Sequence, residues 1–466
     1  MKGWLEYLVQ YNNDGKLEGR LLAGWDIQDG ASTYILNVRE GIFWNNGDRF
    51  DARDVARNIE RWCDRSVANN SMANRFSVLV DPDTELAITN SIEVVGEYTV
   101  RLNLPRPDIT LIASMSDYPA AIVPASFDAC RALEMPIGTG PYVPTKFELG
   151  KRATLGINEQ HEWWDRGNGA WVAEIEFVDG GDEPSTWLAA AQSDEIDMTY
   201  TVLGSNVGKF RSLEGWKQND IVTSSTVVVR VNQLFEENGR RIYSDRRVRR
   251  ALQMAVDNRR CLEMGLAGQG SVAHNHHFGP MYPDFNYMDR EEYNPDKAKD
   301  ILREAGLLDY EHQLVSLADD GYREETADSV AQQLCEAGIK VKRVNLPGEV
   351  YWKNWLNFGF SCSNWNHRPL GIQTLALAYR SNSPWNETAF SSKEFDENLD
   401  LALSMTDHND RRVVIEKLQR ILLEEAVVIQ PYWRTLTNFT KRDLYGGEHH
   451  LSSDIRPHRL QWKHEE

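Results

Sequence analysis

The chain has 466 residues, 41% hydrophobic and 26% charged, with 70 acidic against 51 basic side chains and a formal net charge of −19. That length suffices for roughly three domains with a large apolar core, and the composition excludes a disordered polymer. The acidic excess argues against a nucleic-acid partner, whose phosphates demand clustered Lys and Arg, and there is no run of about 18 apolar residues to span a bilayer.

In chain order, the opening segment MKGWLEYLVQYNNDGK lacks the apolar stretch and cleavage site of a signal peptide. Asp29-Gly30 reads as a turn, and Thr33, Ile35 and Val38 after it suit a strand. Asn46-Gly47-Asp48 makes the next reversal. Asp51 then stands at a helix N-cap, its carboxylate placed to accept an orphan backbone N–H, and Ala52, Val55, Ala56 and Ile59 recur behind it at helical spacing.

The run Ser244 to Asp257 predicts a helix with Val248, Ala251, Leu252 and Ala255 on its apolar face. Arg240, Arg241, Arg246, Arg247, Arg249 and Arg250 form a basic cluster there, read as a solvated face or else as a salt-sensitive contact with a membrane partner. Asn294 caps a further helix with Pro295 at its first position; Ala298, Ile301, Leu302 and Ala305 line one side, and Gly306 ends it. The next helix runs from about Glu325 to Ala337 with Val330 and Leu334 inward, and Ile339 to Lys342 alternates as a strand. Phe395, Leu399, Ala402 and Leu403 mark one late helix, Val414, Leu418, Ile421 and Leu422 another, and a strand follows over Val427 to Trp433. Helices and strands alternate throughout, so the fold class is α/β in layers.

Cys63, Cys130, Cys261, Cys335 and Cys362 are odd in number and have no metal-finger spacing. Cys335, among apolar positions, reads as a small core residue, and one disulfide stays open without an assignable pair. Gly268-Gln269-Gly270-Ser271-Val272-Ala273 fits a dinucleotide fingerprint, but a helix precedes it where a strand is required, so no cofactor is expected. His274, His276 and His277 invite a metal reading, since imidazole suits zinc, nickel and copper. Neighbours on an extended segment point apart, however, and no carboxylate or Cys stands at ligand spacing. Ligand contact through His276 or His277, and a purely structural role, are the other readings; no metal is assigned. No G-x-S-x-G, H-E-x-x-H or P-loop is present, so no catalytic residue is named.

The segment Ala23 to Trp62 resembles the family-5 extracellular solute-binding proteins, the dipeptide- and oligopeptide-binding receptors of bacterial ABC importers. That family carries W-x-x-x-D-G-x-x-[YW], then F-x-[LV]-R-x-G-[IV]-x-[FW], matched by Leu36 to Trp44, then D-G-x-x-[FV]-x-A-x-D-[VF], matched by Phe50 to Val55. Gly138-Thr139-Gly140-Pro141-Tyr142 is similar to its G-T-G-P-Y, and Asn158 to Asp165 to its N-x-x-Y-W. Ser193 to Tyr200 resembles the G-E-[IL]-D run ahead of a crossover, Ser244 to Asp257 the R-V-R helix, and Tyr293 to Leu307 the Y-[DN]-P-x-K-A motif. Six matches keep the family's order.

The resemblance implies a periplasmic-binding-protein type II-like fold, with two ligand-binding lobes joined by a hinge plus a third, smaller lobe. Mapped onto this chain, residues 1–147 are the extra lobe, 148–228 with 438–466 the first ligand lobe, and 229–437 the second. It also implies a periplasmic, monomeric, non-enzymatic receptor that delivers one small solute to the ABC permease membrane subunits. By the same resemblance the chain is shortened at its N-terminus.

Asn364 to Asn386 corresponds to a loop at the family's ligand cleft, where an Asp about three positions after a Trp pairs with a peptide's α-amino group. Trp365 matches the Trp, Asn366 and His367 follow, and Arg368 occupies the Asp position. A cationic ammonium beside Arg368 is repelled, whereas a carboxylate or phosphate is welcomed by its planar fork of donors. The expected ligand is therefore a peptide-like or anionic solute, with an oligosaccharide, an opine-like conjugate or a metal chelate as alternatives. Trp385 and Asn386 fall on the family's N-x-T stretch, and Tyr432 lies, beside Trp433 and Arg434, where the chain leaves the second lobe; Trp385, Asn386 and Tyr432 complete a candidate set of nine.

Overall fold

The computed structural model describes residues 2–181, 183–289, 292–318 and 321–463. Met1 and residues 464–466, at the outer ends of the expected lobes, lie outside that description. The chain packs into two compact units, one of residues 1–202, 206–221 and 437–466, the other of residues 203–205 and 222–436.

In the first unit, strands Leu22–Gln28 and Thr33–Val38 form the expected hairpin, its turn passing through Asp29 and Gly30 at φ +50° and +61°. Gly30 enters that left-handed region without the Cβ clash that penalises other residues. Strands Thr99–Asn103 and Ile92–Gly96 complete a four-stranded antiparallel sheet. Helix Ala52–Cys63 begins as its sequence predicts: Asp51 accepts the Arg53 N–H at 2.7 Å, while Asp54 reaches back to the Asp51 N–H at 3.3 Å. Both orphan donors are satisfied by this capping box. Ala52, Val55, Ala56, Ile59 and Trp62 form its buried face.

A three-stranded sheet, Tyr142–Glu148, Arg152–Ile157 and Glu174–Val178, follows in the same unit. Gly138 and Gly140 lie against the backbone of Gly3 and Trp4, where an added Cβ would fall 2.3 Å and 2.4 Å from carbonyl oxygens. That close approach explains the two glycines in the run ahead of Tyr142.

The second unit is built on one mixed sheet. Its strand order is Gly270–Val272, Tyr432–Lys441, Trp216–Val231, Phe360–Trp365, His312–Leu317, Val341–Leu346, with Val428–Ile429 also paired to Trp216–Val231. The last three strands of that order run parallel, and Phe360–Trp365 is antiparallel to Trp216–Val231. Leu314 and Val315 show why these strands are apolar on both sides. Leu314 joins the main core with Val229, Leu252, Leu302, Val330 and Leu334, whereas Val315 packs with Leu317 and Tyr351 in a second cluster.

Four sequence expectations need correction. The helix expected from about Glu325 spans Gly321–Glu336, and Cys335 on it is exposed because the buried stripe runs through Val330, Ala331, Gln333 and Leu334. The run Ser244 to Asp257 is not one helix: Arg246–Met254 ends, and Asp257 caps a second helix, Asn258–Leu266, by accepting the Arg259 N–H. The strand expected over Val427 to Trp433 breaks at Gln430-Pro431, since Pro431 has no N–H for a ladder and the Gln430 N–H goes to Asn275 Oδ1. All five cysteines are free thiols, with Cys63, Cys261 and Cys362 buried.

Candidate functional site

Five of the nine residues singled out from the sequence come together at one end of the second unit's sheet. Thr226 pairs with Trp365, the last residue of its strand, so the chain leaves regular structure there and His367 and Arg368 beyond it are held by tertiary contacts. His367 is held most firmly. Its Nδ1 accepts the Ser224 N–H at 3.0 Å and lies 2.9 Å from Ser224 Oγ, and its backbone N–H donates to Ser225 Oγ at 3.0 Å. A backbone N–H only donates, so Nδ1 is the unprotonated nitrogen and the ring proton sits on Nε2. Tyr282 stacks on this ring at 5.7 Å, contacts Ser224 Oγ at 2.5 Å, and donates its hydroxyl proton to the Arg368 carbonyl at 2.6 Å. The loop from Trp365 to Arg368 is thus strapped to the strand Trp216–Val231.

Ser224 and His367 have the distance of a nucleophile and its base, but not the chemistry. Burial, reinforced by Arg368, pushes the imidazole down to about 3. A general base needs a pKa near the working pH.

Trp365 is buried, and its indole N–H donates to Glu387 Oε1 at 2.8 Å. Its ring meets the edge of Trp385 at 6.1 Å and of His277 at 5.7 Å. Trp385 is half-buried, and the Arg368 guanidinium lies 5.9 Å from its ring centre, within cation–π range. His277 completes the group: Nδ1 lies 2.8 Å from the Tyr379 hydroxyl, and the ring is tilted against Trp433 at 6.2 Å.

The other four candidates lie apart from this contact group. His276 points away from His277, its Nδ1 accepting the Phe278 N–H at 3.3 Å with Phe285 and Gln419 as neighbours. The segment is not extended, because Asn275 and His277 both adopt positive φ, yet the two rings still diverge. Burial holds His276 and His277 down at about 3, with His274 adding to the first and His276 to the second, so both are neutral at pH 7. Among the described residues no group of three His, Cys, Asp or Glu converges on a metal position. Asn386 closes its own loop, its amide donating to the Arg380 and Phe390 carbonyls at 3.1 and 2.8 Å while its oxygen accepts from Thr388. Tyr432 is fully buried in the main core, with its hydroxyl 2.6 Å from Thr326 Oγ1. Asn366 is exposed.

Sequence reasoning passed over Glu387, Arg230, Tyr379, Ser224 and Tyr282. Each is distant in sequence from at least one partner, so no local spacing reveals it. Arg434 stands over the Tyr322 ring at 4.0 Å and donates to its hydroxyl at 2.9 Å. The basic cluster at 240–250 is occupied within the unit: Arg240 reaches the Ala305 and Gly306 carbonyls, Arg246 and Arg249 reach Glu425, and Arg247 reaches Asp245. Arg249 is buried rather than solvated.

The family model for bacterial extracellular solute-binding proteins, family 5, middle region, matches residues 16–387. The chain belongs to this family. Family-5 proteins are the non-catalytic solute-binding components of ABC importers. Heme-binding protein A of Haemophilus influenzae is 23% identical to this family-5 chain over 444 residues, 88% of the chain and 78% of the relative. Glutathione-binding protein GsiB of Salmonella paratyphi A is 22% identical over 479 residues, 96% of the chain and 86% of the relative. The solved complex of the binding protein AgaA with agropinic acid, from A. tumefaciens R10, superposes with a TM-score of 0.83 at 20% identity, covering 99% of this chain and 93% of that one. At such identities the likeness establishes the family-5 fold. Among the described residues no helix is long and apolar enough to cross a membrane.

Proposed function

We propose that this family-5 protein is the periplasmic receptor for a small anionic or peptide-like solute, binding it at Trp365, Trp385 and Arg368 and delivering it to an ABC permease. The observation that carries the reading is the placement of a guanidinium and two indole rings on one loop pair at the end of a rigid sheet. Indole supplies area at little entropic cost, and the guanidinium supplies planar, directional donors. The ligands named for the relatives, heme, glutathione and agropinic acid, all carry carboxylates at neutral pH, which supports an acid-recognising site. We propose the extra lobe at residues 1–147, the first ligand lobe at 148–228 with 438–466, and the second ligand lobe at 229–437.

Native mass spectrometry of the purified protein, with mass analysis of what denaturation releases, tests the ligand class. A released carboxylate or phosphate supports the reading. A released solute with neither group overturns it. With that solute, Arg368→Ala weakens binding at least several-fold, as loss of a charged hydrogen bond worth about 1.5–3 kcal/mol implies. Unchanged affinity in calorimetry removes Arg368 from the site.

A further inference from the structure

Beneath the two indole rings lies a buried acid. Glu387 is 2% exposed, and both of its oxygens are engaged: Oε1 accepts the Trp365 indole N–H at 2.8 Å, and Oε2 accepts from Ser363 Oγ at 2.7 Å and from the Arg230 guanidinium at 2.8 Å. Arg230 is itself fully enclosed and also donates to Ser361 Oγ and to the Trp355 carbonyl. Ser361 and Ser363 belong to the strand that ends in Trp365, and Arg230 belongs to the strand paired with it. The carboxylate is therefore anchored to the sheet on one side and grips a side chain of the site on the other.

The chemistry of this arrangement is one-directional. Trp365, Ser363 and Arg230 present three donors, and only an ionised carboxylate offers acceptors to all of them at once. An amide at position 387 turns a donor toward either the indole N–H or the guanidinium. A buried ion pair of this kind contributes little net stability compared with a well-packed apolar replacement. What the pair does supply is direction. Trp365 stands where its strand ends, so its ring plane is set by Glu387, Trp385 and His277. Trp385 is only two residues from Glu387, on the same loop, and carries the Arg368 contact.

We infer that Glu387 is a positioning residue for the solute site: through the Trp365 indole N–H it fixes the Trp365–Trp385 pair and with it the platform on which Arg368 rests. This rests on the reading that those three side chains meet the solute, and it makes an ionised acid at 387 the link between the sheet and the site.

The test is ¹⁹F NMR of the full chain labelled with 5-fluorotryptophan, which needs no ligand. Trp365→Phe and Trp385→Phe assign the two signals by their loss. In Glu387→Gln the signals of both Trp365 and Trp385 move or broaden, while those of Trp62 and Trp163, in the other unit and assigned in the same way, stay in place and report an intact fold. Unmoved Trp365 and Trp385 signals in the folded variant overturn the inference. If Glu387→Gln does not fold, Glu387→Asp serves instead: it keeps the charge next to Arg230 but withdraws the carboxylate from the indole by one methylene, and the same two outcomes decide. The solute reading fails separately. A clear response here together with an Arg368→Ala variant of unchanged affinity keeps Glu387 as the brace of the aromatic pair and removes the pair from the binding site.

Discussion

Arg230 is the residue on which the buried polar chemistry of the second unit turns. It is fully enclosed, paired with Glu387 at 2.8 Å, and bonded to a serine hydroxyl and a backbone carbonyl besides. Removing one member of such a pair strands the other charge in a medium that solvates it poorly. Arg230→Ala should therefore destabilise the protein by about 3–5 kcal/mol, as read from urea unfolding. A loss below about 1 kcal/mol would mean that water reaches Glu387. Of the five site residues that the sequence revealed, Trp365, His367, Arg368 and Trp385 were recognised through a motif and His277 through a cluster of histidines, whereas Glu387, Arg230 and Ser224 carry neither signal. An isolated Glu, Arg or Ser carries no periodic signal, and its role depends on partners between 22 and 157 positions away (22 from Glu387 to Trp365, 157 from Arg230 to Glu387).

Helix Gly321–Glu336 shows how an element divides its residues between core and solvent. Leu334 is fully buried in the main cluster, and Cys335 beside it is exposed. A buried Leu truncated to Ala loses about 2–5 kcal/mol through transfer and cavity terms together, while an exposed substitution stays within about 0.5 kcal/mol. Leu334→Ala should accordingly cost about 2–5 kcal/mol, and Cys335→Ala next to it less than about 0.5, by denaturant midpoint at constant slope. Equal losses at the two positions would show that the helix is rotated. Capping permits a similar comparison at helix Ala52–Cys63, where Asp51→Ala removes the acceptor of the Arg53 N–H and should cost about 1 kcal/mol. The Cys335 expectation erred by one position because apolar neighbours in sequence are not neighbours on a helical face.

Across the whole molecule, buried histidines shape the response to acid. Burial holds His276, His277 and His367 down at about 3 and His312 at about 4 in the second unit, and His458 at about 3 in the first. In the unfolded chain these imidazoles titrate near their ordinary value of about 6.5. Below that pH the unfolded state takes up protons that the folded state refuses, so their contribution is complete above about pH 6.5 and is lost as pH falls toward the folded values. Each such group steepens the decline by up to about 1.4 kcal/mol per pH unit. The melting temperature should thus be nearly level only above about pH 7.5, begin to fall as pH drops through about 6.5, and be clearly lower by about pH 5. A melting temperature at pH 5 equal to that at pH 7.5 would show the histidines accessible to solvent. Solute acts in the opposite direction: at 100 times its Kd it should stabilise by about 2.7 kcal/mol, visible as a thermal shift.

By itself the sequence determined the alternation of helices and strands, the capped helix starts at Asp51 and Asn294, and the family, because these reside in spacing and in short motifs that need no distant partner. It also named Trp365, Arg368 and Trp385, which a motif carries. Tertiary structure alone decided that Tyr432 belongs to the core, that His277 meets Trp365 and the Tyr379 hydroxyl, and that Glu387 holds the indole of Trp365. Each of these depends on which backbone carbonyl, hydroxyl or ring a side chain meets after strands far apart in sequence have paired, and only pairing brings the second partner within hydrogen-bond reach.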